Sequence, residues 1–188
     1  RILVTGASKG IGLAAAHRLA ADGWSVIGTA RSAPATFPGE FLACDLGDEA
    51  ATAALAAALA ARGDVVAIVN NVGASTHERV GEIAWDDYAA LHAMNVRPAL
   101  QLTQALLPSM RAAGFGRIVN VTSLVTRGLA WRASYAAAKS ALESLTRSMA
   151  IELAPERITV PPFFSATKRP CIDAPTRSIP VMISGCRL

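Results

Sequence analysis

The 188-residue sequence predicts a doubly wound α/β fold in a single domain, Rossmann-like in architecture and built on a parallel sheet. Three observations point there. Apolar runs such as Val65-Val66-Ala67-Ile68-Val69 show no polar alternation, as strands buried on both faces do. Amphipathic stretches at helical spacing separate these runs, and the first run empties into a glycine-rich turn. One domain suits the length, and 52% apolar residues furnish a core.

Taken in order, Ile2-Leu3-Val4 is the first strand, and Ile11, Ala15 and Leu19 mark one face of a helix over 11–22. A second strand falls near 24–30. Residues 31–39, with Pro34 and Pro38, are too short to hold the usual crossover helix before a third strand near 40–44. Asp48 is placed to cap a helix over 49–62, whose alanines favour that state. Strands follow near 65–70, 116–122 and 157–160, with helices near 85–112 and 134–153. After Val160 the pattern stops. Residues 161–188 hold five of the ten prolines and two of the three cysteines, and Pro161-Pro162 argue against a continuing central strand. We expect a core over 1–160 and an atypical tail over 161–188, disordered or aberrant in origin, without a normal last strand or substrate lid. The start at Arg1, directly before the first strand, suggests a trimmed chain.

Composition narrows the function. The chain carries no long uninterrupted apolar stretch and no basic-then-apolar leader, so the expectation is a cytoplasmic protein with no membrane partner. Of the net charge of +4, residues 161–188 contribute +3, which leaves a nearly neutral body and argues against nucleic acid. Cys44, Cys171 and Cys186 lack metal-ligand spacing and read as free thiols; no metal is expected.

The turn Thr5-Gly6-Ala7-Ser8-Lys9-Gly10-Ile11-Gly12 lies between a strand and a helix. There, Gly6 permits a tight turn, Gly10 lets the backbone approach a pyrophosphate, and Gly12 allows close helix packing; the helix N-terminus supplies amide donors. Gly6, Ser8, Lys9, Gly10, Ile11 and Gly12 are therefore cofactor-binding candidates. This Thr-Gly-x-x-x-Gly-x-Gly pattern resembles the classical short-chain dehydrogenase/reductases (SDR family), and the resemblance runs from Ile2 to about Val160. Lys9 stands where the extended branch of that superfamily carries glycine, which favours the classical branch.

At the end of the second strand an acidic residue would accept a hydrogen bond from the ribose 2′-hydroxyl of NAD, but Ala30 and Arg31 stand there. Arg31 can pair with a 2′-phosphate and Lys9 can add charge beside it, so NADP(H) is the expected cofactor. The resemblance implies an adenine contact for Asp45, and it matches Asn71-Val72-Gly73 to the family turn after the fourth strand, which makes Asn71 and Gly73 cofactor-binding candidates.

Tyr135 and Lys139 sit four apart, on one face of the 134–153 helix. A tyrosine of ordinary pKa ~10 is a poor acid or base at neutral pH, and a neighbouring ammonium would lower it. The resemblance implies that Tyr135 is the proton donor and that Lys139 also grips the nicotinamide ribose. Gly116 to Ser123 reads as a strand ending in a hydroxyl at the carboxyl edge of the sheet. Ser123 matches the family serine that binds the substrate oxygen; Thr122, one residue earlier, is its rival. Asn95 matches the family asparagine within the long helix, implying a water-mediated relay to Lys139, with packing polarity as the plain alternative. His17, His77 and His92 have no partner pattern, and Trp131 is placed to border a substrate.

Two functions follow as expectations. The first is an NADPH-dependent reductase of small carbonyl or secondary alcohol substrates, resembling 3-oxoacyl and ketone reductases and forming a homodimer through helices 85–112 and 134–153. The second is a catalytically impaired nucleotide-binding fragment acting only in binding or oligomer association.

Overall fold

The computed structural model describes residues 1–165, so Cys171, Cys186 and the tail expected beyond Ser165 lie outside the described residues. The strands are β1 (Ile2–Thr5), β2 (Val26–Ala30), β3 (Gly39–Ala43), β4 (Ala67–Asn70), β5 (Gly116–Ser123), β6 (Ile158–Thr159) and β7 (Pro162–Ser165). The helices are α1 (Gly10–Ala21), α2 (Glu49–Arg62), α3 (Trp85–Ala113) and α4 (Ala133–Leu153). All strand pairings are parallel, in the order β3-β2-β1-β4-β5-β6, with β7 also on β5. The chain runs outward from β1 through β2 to β3, then returns to place β4 on the other side of β1. That reversal opens a crevice at the carboxyl ends of β1 and β4.

One expectation is corrected here. Pro161 and Pro162 do not end the sixth strand. β6 pairs Ile158 with Gly116 and β7 pairs Pro162 with Asn120, so both continue one register along β5 with a single interruption. Among the described residues this is a sheet edge, where a missing amide removes no ladder bond on the open side.

The two faces of the sheet are covered unequally. Leu3, Ile27, Ile68 and Ile118 meet Leu59 of α2, Leu102, Leu106 and Met110 of α3, and Leu153 of α4 in one core. The opposite core joins Ile2, Val4, Val26 and Val69 to Ala16 and Leu19 of α1, with Trp24, Phe37 and Phe41 packed at its margin. As the two prolines predict, no helix links β2 to β3. Phe37 lies there instead: a Cβ on Gly28 would stand 2.3 Å from its ring. Its ring meets Phe41 edge-on at 5.2 Å.

Local signals set the helix ends. The Asp48 carboxylate accepts from the Ala51 amide at 3.0 Å, the capping role its position predicts. Gly63 and Gly114, at φ +68° and +60°, close α2 and α3 in the left-handed conformation. Helix α3 runs 29 residues with Pro98 and Pro108 inside it. Position 98 thus offers no amide to the Met94 carbonyl one turn earlier.

Candidate active site

The glycine turn is fastened to β4 by Thr5 and Asn71. The buried Thr5 hydroxyl donates to the Val69 carbonyl at 3.3 Å and accepts from the amides of Asn71 and Val72 at 2.9 and 3.0 Å. The Asn71 side-chain amide donates to the carbonyls of Thr5 and Gly6 at 3.0 and 3.2 Å. Packing then dictates the glycines. A Cβ on Gly12 would lie 2.3 Å from the Gly6 carbonyl oxygen, and one on Gly6 would lie 2.9 Å from the Asn71 amide nitrogen. Gly10 differs, since its φ of +57° favours glycine while no heavy atom stands within 4 Å of where its Cβ would be. That position leaves room for a ligand to approach the backbone. Helix α1 begins at this residue, with no side-chain cap at Lys9 and no acid in its first turn. Its first amide donors and the positive end of its dipole therefore remain available to an anion.

A cleft of about 550 Å³ opens beside this turn. Gly6, Ser8, Lys9 and Ile11 line one side; Arg31 lines the end of β2; Asp45, Asn71, Val72 and Gly73 complete it. Lys9 and Arg31 are exposed, and no carboxylate pairs with either among the described residues. Asp45 is exposed too, with one carboxylate oxygen accepting from the Gly47 amide at 2.9 Å. Burial, aided by Asp45 and Asp48, pushes the Cys44 thiol up, away from thiolate character.

Two of the other candidates meet at Gly73, on the lining of the cleft. A Cβ on Gly73 would stand 2.5 Å from Asn95 Oδ1 and 3.4 Å from Lys139 Nζ, so both groups converge on one backbone position. Asn95 is buried in α3 and donates to the carbonyls of Ala74 at 2.9 Å and Leu91 at 2.8 Å. Its Oδ1 is buried without a hydrogen-bond partner among the described residues. Lys139 Nζ donates to the Val121 carbonyl at 2.9 Å, and burial lowers its pKa to about 8. Ser123 and the Tyr135 phenol share a hydrogen bond, while the Ser123 hydroxyl also accepts from the Val125 amide at 3.3 Å. Thr122 is buried one residue earlier on β5, and strand alternation aims it to the other face.

The expected electrostatics of Tyr135 need correcting. Burial pushes the phenol up from its ordinary value; the Ser123 hydrogen bond and the charge of Arg132 act against that. Lys139 Nζ lies 5.9 Å from the tyrosine ring centroid and is turned to the Val121 carbonyl. Sequence reasoning passed over Arg132 and Thr5. Position supplied a signal for both: Arg132 sits three residues before Tyr135, and Thr5 ends β1 at the turn.

The dinucleotide implied by this arrangement fits the residues present: a glycine cradle that side chains would fill, uncapped helix amides, Lys9 and Arg31 without a carboxylate partner among the described residues, and an amide oxygen beside Lys139 that none of those residues satisfies. No group of three or more His, Cys, Asp or Glu among the described residues could hold a metal ion. None of the described helices is long and apolar enough to cross a membrane.

Comparison with known proteins defines the class. The family model described as short chain dehydrogenase matches residues 1–165. The chain is 35% identical to the short-chain reductase protein NovJ of Streptomyces niveus, over 91% of this chain and 70% of that protein. It is 36% identical to the 3-oxoacyl-[acyl-carrier-protein] reductase FabG of Pseudomonas aeruginosa, over 84% and 69%. Among solved structures, a metagenomic short-chain oxidoreductase in complex with NADP superposes with a TM-score of 0.80 at 34% identity, covering 88% of this chain and 80% of that one. A short-chain dehydrogenase from Streptomyces avermitilis superposes with a TM-score of 0.78 at 36% identity, and the match spans 86% of this chain but only 63% of that one. The chain belongs to the short-chain dehydrogenases, a family of oxidoreductases.

Proposed function

We propose that the protein is an NADP(H)-dependent carbonyl reductase acting on a small ketone or its secondary alcohol. The observation that carries this reading is that Asn95 and Lys139 meet at Gly73, on the lining of the cleft that also holds Arg31 and Lys9, while the Tyr135 ring lies 5.9 Å from Lys139 Nζ and its phenol pairs with Ser123. When bound, the nicotinamide would exchange a hydride with the substrate carbon. Ser123 would hydrogen-bond the carbonyl oxygen and stabilise the charge that develops there. Tyr135, a phenol whose pKa burial raises further, would donate the proton. Lys139 would hold the nicotinamide ribose, and the unpartnered Asn95 Oδ1 would order a water toward it. At the other end, the glycine turn would take the pyrophosphate, Arg31 and Lys9 the 2′-phosphate, and Asp45 the adenine amine. Two relatives bear names in accord with a carbonyl substrate, the bacterial 3-oxoacyl reductases and the L-xylulose reductase of Bos taurus, which is 36% identical over 85% of this chain.

Spectrophotometric assay of NADPH oxidation against a panel of ketones and 3-oxoacyl thioesters tests the reading. Turnover that is lost in Tyr135→Phe supports it. Saturable NADPH binding without turnover on any carbonyl would favour the impaired nucleotide-binding alternative. Association through α3 and α4 is part of the proposal; a monomer in sedimentation at micromolar concentration would remove it.

A further inference from the structure

The turn before α4 is tied to the loop after β4 at three points. The Glu78 amide donates to the Trp131 carbonyl at 3.1 Å. Arg132 Nη1 donates to the Thr76 carbonyl at 2.8 Å. The rings of His77 and Trp131 meet edge-on at 5.2 Å. These ties hold Trp131 at φ +60°, a left-handed conformation that a bulky residue rarely adopts. The consequence is a fixed corner three to four residues ahead of Tyr135, with an indole that remains 48% exposed and a half-buried guanidinium beside it.

Arg132 is incompletely used by the protein. One of its nitrogens is bonded to Thr76, and no carboxylate pairs with it among the described residues; Glu78, although its backbone meets Trp131, makes no ion pair with it. An arginine that only tied a loop could sit at the surface. This one stands three residues before Tyr135 at the start of α4, with one nitrogen bonded to Thr76 and the others without a partner among the described residues. A planar guanidinium with free donors is the group best suited to a carboxylate.

We propose that Arg132, backed by Trp131, is a specificity-determining residue that binds an anionic group on the carbonyl substrate, so that the substrate class is oxo acids. The proposal rests on the reductase reading for the place of the carbonyl, at Ser123 and Tyr135. A carboxylate at Arg132 would then set the distance between the two ends of the substrate, and Trp131 would cover the apolar carbons between them.

Intrinsic tryptophan fluorescence of the full chain, titrated with 4-oxopentanoate and with its methyl ester in the presence and absence of NADP⁺, tests this without turnover. The expected result is an oxo acid that binds at least about tenfold more tightly than its ester, a factor equal to ~1.4 kcal/mol. That preference should weaken as sodium chloride is raised, fall to within about twofold in Arg132→Gln, and survive in part in Arg132→Lys. A preference that persists in Arg132→Gln would overturn the proposal. So would a wild-type chain that binds acid and ester alike, or neither, and that outcome needs no variant to fold. Oxidation of NADPH by neutral ketones is a separate readout, so the reductase reading stands or falls on its own.

Discussion

Lys139 shows how a functional side chain opposes stability. It is 3% exposed, and its one hydrogen bond, to Val121, does not replace the water it gives up. Its pKa therefore falls from 10.5 to about 8. The sign follows directly. The folded chain binds this proton less readily than the unfolded chain does, so the penalty is complete below about 8 and fades as pH climbs to 10.5. We predict that Lys139→Met abolishes activity yet raises stability at pH 7 by on the order of 1 kcal/mol, since relief of desolvation exceeds the lost bond. Urea unfolding at pH 7 and pH 10 should show the gain shrinking at the higher pH. With [¹³C]lysine labelling, one of the three lysine signals should titrate near 8 and vanish in that variant. Asn71 has the opposite effect. Its side chain joins two turn carbonyls to β4, so Asn71→Ala should cost about 1–3 kcal/mol in urea unfolding and weaken nucleotide binding with it. Residue types and spacing made the candidate set legible at this scale, because the Tyr135–Lys139 interval fixes a common helix face. What they could not show is where Nζ ends: a four-residue spacing brings two side chains near, but the Val121 carbonyl, supplied by the preceding strand β5, decides the contact.

The α1 side of the sheet depends on a substitution of one element type for another. Where a helix would follow β2, the Phe37 ring covers Gly28, and the missing Cβ there is what admits it. Gly28 and Phe37 should therefore behave as a pair. We predict that Phe37→Ala destabilises by about 1–3 kcal/mol as apolar surface is uncovered, and that Gly28→Ala destabilises the native sequence through the clash. In the Phe37→Ala background the Gly28→Ala penalty should largely disappear, a coupling measurable by a double-mutant cycle in urea. Additive effects would mean that the ring moves aside freely. Length and two prolines made the missing helix readable in the sequence. The continuation of the sixth strand was not readable, since Pro161-Pro162 oppose a central strand and only tertiary placement reveals that, among the described residues, this segment lies at an edge. A similar polar link also escapes sequence reading: Asn70 and Asn120 bond each other at 2.8 Å and reach Thr103 of α3 and Thr146 of α4, tying the helices of Asn95, Tyr135 and Lys139 to the sheet centre.

Across the whole molecule, the strand-order reversal between β1 and β4 places the cleft at the seam of the sheet, so a ligand there touches the glycine turn, the end of β2 and the turn after β4 together. Occupancy should consequently stabilise the fold globally. A ligand at one hundred times its Kd contributes about 2.7 kcal/mol, which for a chain of this size raises the unfolding midpoint by roughly 5–10 °C. We predict a shift of that size with NADPH and a smaller one with NADH at equal concentration, because only the former offers a 2′-phosphate to Arg31 and Lys9. Arg31→Ala removes an exposed side chain with no partner among the described residues, so the unliganded midpoint should hardly move. In that variant the NADPH shift should fall toward the NADH value, with Lys9 retaining part of the difference. Thermal melts of the two chains with each nucleotide decide the matter. Equal shifts in the wild type would remove NADP(H) preference from the proposed function while leaving dinucleotide binding intact, and no shift with either would remove the cleft from it altogether.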